Sequence, residues 1–185
     1  MSKYSCLLDQ MTLKASKTNN TMNKHIAVIY KSGCSTPIPI IFGENYLCCN
    51  KGCVHNFMNQ VKHAEMDALE RLHKNPKMKK NIKLNMLVAR IRSDHTFGMS
   101  RPCLLCTRAI MNSKLRIKKI KYTDDMGNII TEDIKSLLNE DKIHISKGYR
   151  LHLVMRGILS DDMFSQDGFE QEHDLKRVRT LLLER

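Results

Sequence analysis

The sequence predicts a three-layer α/β/α domain, in which a mixed sheet of about five strands carries helices on both faces. Two apolar runs rich in β-branched residues, His25 to Tyr30 and Leu84 to Ile91, have the composition of buried strands. The apolar density of the second run fits a central strand that is covered on both faces. Apolar residues at helical spacing, before the first run and between the two runs, predict the helices.

Each further element follows from its own local pattern. Residues 3–18 predict an amphipathic first helix, because their apolar side chains recur at helical spacing. These side chains are Tyr4, Leu7, Leu8, Met11 and Ala15. The run 38–42 follows a turn signal at 31–33 and predicts a strand that pairs back on the first. Pro39 lacks an N–H donor, so this strand is expected to lie at an edge or to start late.

The segment after the central strand predicts a loop, a helix and a hairpin. Residues 93–99 are expected to form the loop, and the helix runs from Cys103 through Met111. Ile117 to Tyr122 and Ile129 to Thr131 then flank a short turn. A parallel crossover needs a dozen or more connecting residues, so this turn predicts an antiparallel hairpin, with helical residues 132–139 after it.

The composition is that of one globular domain with a strong positive charge. The chain has 185 residues, 42% hydrophobic and 27% charged, and no apolar run approaches the roughly 20 residues that span a bilayer. The formal net charge of +12 is spread over many segments and tryptophan is absent, so solvated faces explain it better than a polynucleotide groove does. Seven cysteines and a start without an apolar leader indicate a reducing, cytoplasmic setting and no membrane association.

One imidazole and two thiols form the chemical centre of the sequence. His63 is followed two residues later by Glu65, and Pro102 is followed by Cys103 and Cys106. A histidine and two thiolates suit zinc, and three protein ligands leave a fourth position open, as in catalytic zinc sites. Glu65 is then placed to move protons rather than to bind the metal. A redox pair at the two cysteines would not need the upstream His-x-Glu, which makes that alternative weaker.

Helix starts explain how these residues converge. Residues two apart diverge by about 200° on a helix, so His63 and Glu65 meet only in a first turn. The apolar stripe that begins at Val61 predicts a helix there. Cys103 and Cys106 are three apart and share one face of the next helix. Two helix N-termini would then face the metal, and their dipoles favour thiolate ligands.

With H-x-E at 63–65 and P-C-x-x-C at 102–106, the sequence resembles the cytidine and deoxycytidylate deaminase superfamily. The resemblance covers mainly residues 25–131 and implies the fold of these zinc-dependent hydrolases. It implies Zn²⁺ as the cofactor, held by His63, Cys103 and Cys106, and Glu65 as the catalytic proton carrier. The implied reaction converts a cytosine ring to the uracil form with release of ammonia, as in nucleotide metabolism and pyrimidine salvage.

The resemblance also implies three substrate contacts. In the resembling families the asparagine of a Gly-x-Asn motif meets the sugar, which corresponds to Asn45 here; a left-handed turn is the alternative reason for this asparagine. Ala64, between the histidine and the glutamate, is taken as a second contact. The backbone before the P-C-x-x-C motif meets the exocyclic amine of the base, so Ser100 is a candidate base contact. Arg101 is expected to face solvent.

The substrate branch stays open at this level. The predicted hairpin is the arrangement of the cytidine-deaminase branch, whereas histidine at position 63 is usual in the deoxycytidylate, tRNA-adenosine and polynucleotide branches. We expect a free substrate: cytidine, deoxycytidine or dCMP. The alternatives are deamination of cytosine or adenine within a nucleic acid, and a catalytically silent zinc-binding relative, against which the intact Glu65 argues.

A cysteine-rich segment precedes the H-x-E motif. Cys48, Cys49, Cys53 and His55 offer ligands for a second, structural zinc. Their spacing is not that of a standard zinc knuckle, and a cysteine-rich substrate loop is the alternative.

We place the deaminase domain at 1–150 and a C-terminal extension at 151–185. The last apolar stripe, at Leu175, Val178, Leu181 and Leu182, predicts an amphipathic helix. This helix is expected to pack on the same domain, with an oligomer contact as the alternative. A homo-oligomer is expected for the protein as a whole.

Overall fold

The computed structural model describes residues 3–17, 24–47, 61–75, 82–138, 144–146 and 149. Every helix and strand reported below belongs to one compact unit, formed by 1–53 and 60–144. Of a second unit, formed by 54–59 and 145–185, only 145, 146 and 149 are described. The predicted C-terminal helix and the cysteine-rich segment 48–55 therefore lie outside the described residues.

A mixed sheet forms the centre of the first unit. Its five long strands are β1 (Lys24–Lys31), β2 (Pro39–Glu44), β5 (Leu84–Ile91), β7 (Ile117–Thr123) and β8 (Ile129–Asp133). They are ordered β2-β1-β5-β7-β8, and only the β5–β7 pair is parallel. The predicted mixed sheet and the β7–β8 hairpin are confirmed. Pro39 is the first residue of an edge strand, where a missing N–H donor is tolerated.

Three short strands complete the sheets. β3 (Tyr46–Leu47) pairs with β4 (Val61–Lys62) in a separate two-stranded sheet. β6 (Phe97–Gly98) pairs with the end of β5, so the segment predicted as a loop at 93–99 is instead a small antiparallel return.

The helices cover both faces of the central sheet, as predicted. α1 (Ser5–Lys17) buries Leu7, Met11 and Ala15 against one face. α2 (Ala64–His73) and α3 (Leu104–Asn112) pack on the other face. They cover the strand residues that alternate in sequence with those under α1. Because strand side chains alternate between faces, β1 and β5 supply two separate cores and are buried on both sides.

Two element boundaries differ from the prediction. Val61 belongs to β4, whereas α2 begins at Ala64. The apolar stripe from which the helix was predicted therefore begins in the preceding strand. β8 continues to Asp133, where it lies opposite Lys119, and a 3₁₀ turn at Ser136–Leu138 replaces the helix expected at 132–139. No helix in the described ranges is both long and apolar enough to cross a bilayer.

Candidate metal centre and active site

His63 and Cys103 occupy equivalent positions at the starts of α2 and α3. Each is the N-cap residue, with extended backbone (φ −78° and −73°), and neither side chain caps its own helix. The first N–H of α3, on Leu104, instead donates to the carbonyl of His144 at 2.7 Å. Both N-cap side chains are therefore directed away from their helices and toward each other.

The three predicted ligands come together. Nδ1 of His63 lies 3.4 Å from Sγ of Cys103 and 3.2 Å from Sγ of Cys106, and the three ligand atoms lie within 4.8 Å of one another. Zn–N and Zn–S bonds of about 2.1 and 2.3 Å in tetrahedral geometry put N and S about 3.5 Å apart. Both cysteines are buried and His63 is half-buried. The group fits a zinc ion in size, in donor type and in protection from solvent.

Electrostatics favour a thiolate in this group. The pKa of Cys103 lies well below its ordinary value, because the Cys106 thiol donates a hydrogen bond to it, against the effect of burial, and because His63 lies beside it. The same contact with Cys103 raises the pKa of His63 to about 9. The hydrogen bond to Cys103, and next burial, raise the pKa of Cys106 well above its ordinary value. A metal ion would take the place of these protons.

Glu65 lies in the first turn of α2, beside the candidate ligands. Its side chain is buried, 5% exposed, and its carboxyl group hydrogen-bonds Cys106. Burial, and next the negative charge of Cys103, raise the pKa of Glu65 above its usual range. Glu65 is not a member of the ligand group found among the described residues. A carboxyl group whose pKa is raised binds a proton more tightly than an exposed glutamate does.

A glycine and a buried aspartate hold the start of α2 against β2. A Cβ on Gly43 would lie 2.2 Å from the carbonyl oxygen of Ala64 and 2.3 Å from the N atom of Ala68, so only glycine allows this approach. Oδ2 of Asp67 accepts a hydrogen bond from the N–H of Glu44 at 3.0 Å. The end of β2 is thereby fixed next to the helix that carries His63 and Glu65.

Asn45, directly after β2, is tied to the first residues of β1. Its N–H donates to the carbonyl of His25 at 3.1 Å, and its Oδ1 accepts from the N–H of His25 at 2.7 Å. This contact fixes the side-chain amide in one orientation at the end of the sheet near the ligands. Contact between Asn45 and a sugar stays a prediction.

Ser100 and Arg101 are both more enclosed than their sequence context suggests. The Ser100 hydroxyl is buried and shared among Val88 and Thr123, so a contact with a base falls to its backbone. Arg101 does not face solvent: its side chain is 10% exposed and pairs with Glu132 at 3.2 Å. The expectation for Arg101 was wrong because the carboxylate partner lies on β8, far along the chain. Ala64 is fully buried.

Two residues near the ligands had no signal in the local sequence. His25 is half-buried, and its pKa falls to about 4 because of burial and then the charges of Arg90 and His63. Arg90 lies opposite His25 across β1 and β5. Both residues belong to strands that are predicted from the apolar residues around them, so the sequence pattern gives these two polar side chains no role. Only the strand register places them beside the ligand group.

The strand order, the hairpin that follows α3 and a His/Cys/Cys group at two helix starts define an α/β protein with the cytidine deaminase fold. The structure is similar to that of a cytidine deaminase from Burkholderia pseudomallei, with 15% sequence identity, 75% of this chain and 98% of that chain covered, and a TM-score of 0.51. It is also similar to dCMP deaminase from cyanophage S-TIM5 in the apo form (18% identity; 78% and 98% covered; TM-score 0.43). The same cyanophage enzyme in complex with dCMP and dUMP matches at 16% identity (76% and 93% covered; TM-score 0.44). No protein-family model and no curated protein matches the sequence.

Proposed function

We propose that the protein is a zinc-dependent hydrolase that deaminates a cytosine-containing nucleoside or nucleotide to the uracil form with release of ammonia. The observation that carries the proposal is the convergence of His63, Cys103 and Cys106 at two helix starts, with the buried carboxyl of Glu65 beside them. Three ligands and an adjacent acid are the parts that a hydrolytic zinc site requires. The similarity to known cytidine deaminases in fold adds to this argument.

Glu65 is the proposed proton carrier. Zinc, when bound, supplies a Lewis acid that makes water nucleophilic near neutral pH. Glu65 accepts the proton that the water loses, and delivers it to the ring nitrogen next to the carbon under attack. A second proton passes through Glu65 to the amine as the C4–N bond breaks and ammonia leaves. Burial, and next the charge of Cys103, raise its pKa, which makes the Glu65 carboxylate a better proton acceptor than an exposed glutamate.

Asn45, Ala64 and Ser100 are the proposed substrate contacts. Asn45 is oriented by His25 at the end of the sheet, which suits a donor or acceptor for a sugar hydroxyl. Ala64 lies between His63 and Glu65 with its side chain in the core, so the proposed contact with the substrate would come from its backbone. The Ser100 hydroxyl is occupied, which leaves its backbone carbonyl for the exocyclic amine.

A substrate panel tests this proposal. Purified protein is assayed for ammonia release with cytidine, deoxycytidine, CMP, dCMP, adenosine, and single-stranded cytosine-containing and adenosine-containing oligomers. We expect turnover of at least one free cytosine compound. Turnover of an oligomer without any activity on free compounds would promote a nucleic-acid-editing deaminase. Zinc-loaded protein that is inactive on the whole panel would indicate a silent relative that keeps the site for binding.

A further inference from the structure

A row of three polar residues crosses the sheet at the end where the ligands lie. Asn45 is bonded to His25 through both its backbone and its side chain, and His25 is paired with Arg90 across β1 and β5. Residues directly opposite each other in antiparallel strands project to the same face of the sheet. His25 and Arg90 are therefore neighbours on one face.

That face is the one covered by α2 and α3. Ala27 and Ile29 on β1, and Met86 and Val88 on β5, belong to the core under these two helices. Strand side chains alternate, so residues two or four positions away share their face, and Arg90 projects beyond the end of this core. The N–H of Arg90 lies 3.4 Å from Oγ1 of Thr123, and this hydroxyl lies 2.9 Å from Oγ of Ser100, three residues before Cys103.

Arg90 lacks a charge partner in the described part of the chain. Its Nε is buried and makes no hydrogen bond, and no acidic side chain there pairs with it. Arg92, two residues on and on the same side of the strand, does have a partner: its Nη2 lies 2.7 Å from Oδ1 of Asp125. Taking a guanidinium partly out of water without an anion is unfavourable, and a bound anion would offset that cost.

A glycine makes room for this side chain. Gly98 on β6 lies directly opposite Arg90, and a Cβ there would be 3.3 Å from Cδ of Arg90 and 3.1 Å from Nε of Arg92. A larger residue at this position would therefore press on both arginine side chains. The short return formed by β6 therefore shapes the space in which the guanidinium lies.

We propose that Arg90 binds the 5′-phosphate of the substrate, so that the protein acts on cytosine nucleoside monophosphates in preference to the free nucleosides. A guanidinium offers a phosphate two parallel charge-assisted hydrogen bonds. Strands are spaced about 4.8 Å apart, so Arg90 lies about 10 Å across the sheet from Asn45, the proposed sugar contact. A nucleotide whose sugar lies at Asn45 would extend its phosphate along the row toward Arg90. This inference rests on the proposed function.

The test compares phosphorylated and unphosphorylated forms of the same compound in Arg90→Gln and Arg90→Lys. Arg116→Gln removes the same charge from an exposed residue at the opposite end of β5, where its carbonyl accepts from Leu84, and is the matched control. kcat/KM is measured for dCMP and deoxycytidine, and affinity for dUMP and deoxyuridine is measured by calorimetry.

We expect Arg90→Gln to lower kcat/KM for dCMP and affinity for dUMP by about 30-fold or more, the size of a charged bidentate contact. Values for deoxycytidine and deoxyuridine should change by less than about 3-fold, as should all values in Arg116→Gln. The values for Arg90→Lys should lie between those of the wild type and Arg90→Gln, because lysine keeps the charge but cannot donate two parallel hydrogen bonds.

The two kinds of measurement separate this inference from the proposed function. Equal losses on the phosphorylated and unphosphorylated compounds, or no loss of dUMP affinity in Arg90→Gln, would overturn the phosphate contact even if deamination is observed. Absence of turnover in the wild type, together with Arg90-dependent binding of dUMP, would instead overturn the reaction and leave the phosphate site standing. Zinc content and melting temperature of each variant identify any loss that comes from misfolding.

Discussion

His63 and Cys103 are both helix N-cap residues, and neither stabilises its helix by a side-chain hydrogen bond. An N-cap residue normally accepts a hydrogen bond from the first turn, an interaction worth about 1 kcal/mol. Neither residue does so here, and their side chains meet Cys106 instead. Replacement of either side chain would therefore remove a candidate metal ligand and disturb a group that is stabilised by its own hydrogen bonds.

Zinc content tests the ligand set directly. We expect about one zinc per chain in the purified protein, and loss of most of it in Cys103→Ser, with a melting temperature lower by about 5–10 °C. Cys6→Ser, at an exposed thiol on α1, is the matched control and should change neither value. Full zinc retention in Cys103→Ser would rule out this ligand set. Two zincs per chain, with the second lost in Cys53→Ser, would place a structural metal in the 48–55 cluster.

At the scale of elements, the contact between β2 and α2 sets the position of the helix start that carries His63 and Glu65. Gly43 lies so close to the backbone of Ala64 and Ala68 that added atoms have no space. The atoms it would meet are backbone atoms, which cannot rotate away as a side chain does. Any change here must move the whole first turn of α2, and with it His63 and Glu65.

We expect Gly43→Ala to lower the free energy of unfolding by about 1–3 kcal/mol, as overpacking does, and to lower zinc content as well. Gly33→Ala is the control. Gly33 has a positive φ of 88° with open space around it, so alanine there costs about 1 kcal/mol of backbone strain but leaves the site intact. Urea unfolding and metal analysis measure the two effects. Unchanged zinc content and stability in Gly43→Ala would contradict the close approach.

A second element-scale contact joins the start of α3 to the β7–β8 hairpin. Glu132 accepts hydrogen bonds from Arg101, one residue before Pro102, and from the hydroxyl of Tyr122. Burial would raise the pKa of Glu132, but the bonds from Tyr122 and Arg101 hold it below its usual value. Burial and the same carboxylate raise the pKa of Tyr122 to about 12, so the phenol stays a donor.

Glu132→Gln should therefore be destabilising near neutral pH, by about 1–3 kcal/mol, because Arg101 loses its only charge partner among the described residues. A carboxyl with a lowered folded pKa stabilises above its unfolded pKa, and this contribution is lost as pH falls through the folded value. The difference between wild type and variant should thus shrink below the ordinary pKa of 4.5. Urea unfolding over this pH range measures it. Glu70→Gln, on an exposed ion pair, should show only a small difference. A gap that stays constant with pH would contradict the assignment.

At the scale of the whole molecule, local patterns predicted the layers, the hairpin and the approach of His63, Cys103 and Cys106 to one another. The approach could be predicted because H-x-E and P-C-x-x-C both indicate helix starts, and side chains at two such starts can meet. Arg90 and His25 could not, since they become neighbours through a strand register that no local pattern encodes. Arg101 was assigned to solvent because its partner Glu132 lies on another element. In the sequence, Asp67 suggests only an exposed ion pair with Arg71, four residues further along the helix. In the structure it also joins α2 to β2 by accepting a hydrogen bond from the N–H of Glu44.

The net charge of +12 makes salt dependence a test of substrate size. A polynucleotide enzyme that makes 6–10 phosphate contacts loses about 10³–10⁵ in affinity between about 50 and 200 mM salt. A mononucleotide carries one phosphate, so we expect KM for the best free substrate to change by less than about 5-fold over that range. KM measured as a function of sodium chloride concentration gives the slope. A steep dependence of KM on salt for a mononucleotide would mean that several positive side chains, and not Arg90 alone, act on its phosphate.

The most direct test of a zinc-dependent deaminase is the rate of uracil formation by Glu65→Gln on the best substrate of the panel, measured beside zinc content. Glutamine keeps the shape of the side chain but cannot cycle a proton. We predict a rate lower by at least about 10²- to 10⁴-fold, with zinc content and melting temperature close to those of the wild type. Full activity in Glu65→Gln would contradict the mechanism, and loss of zinc would make Glu65 a ligand instead of a proton carrier.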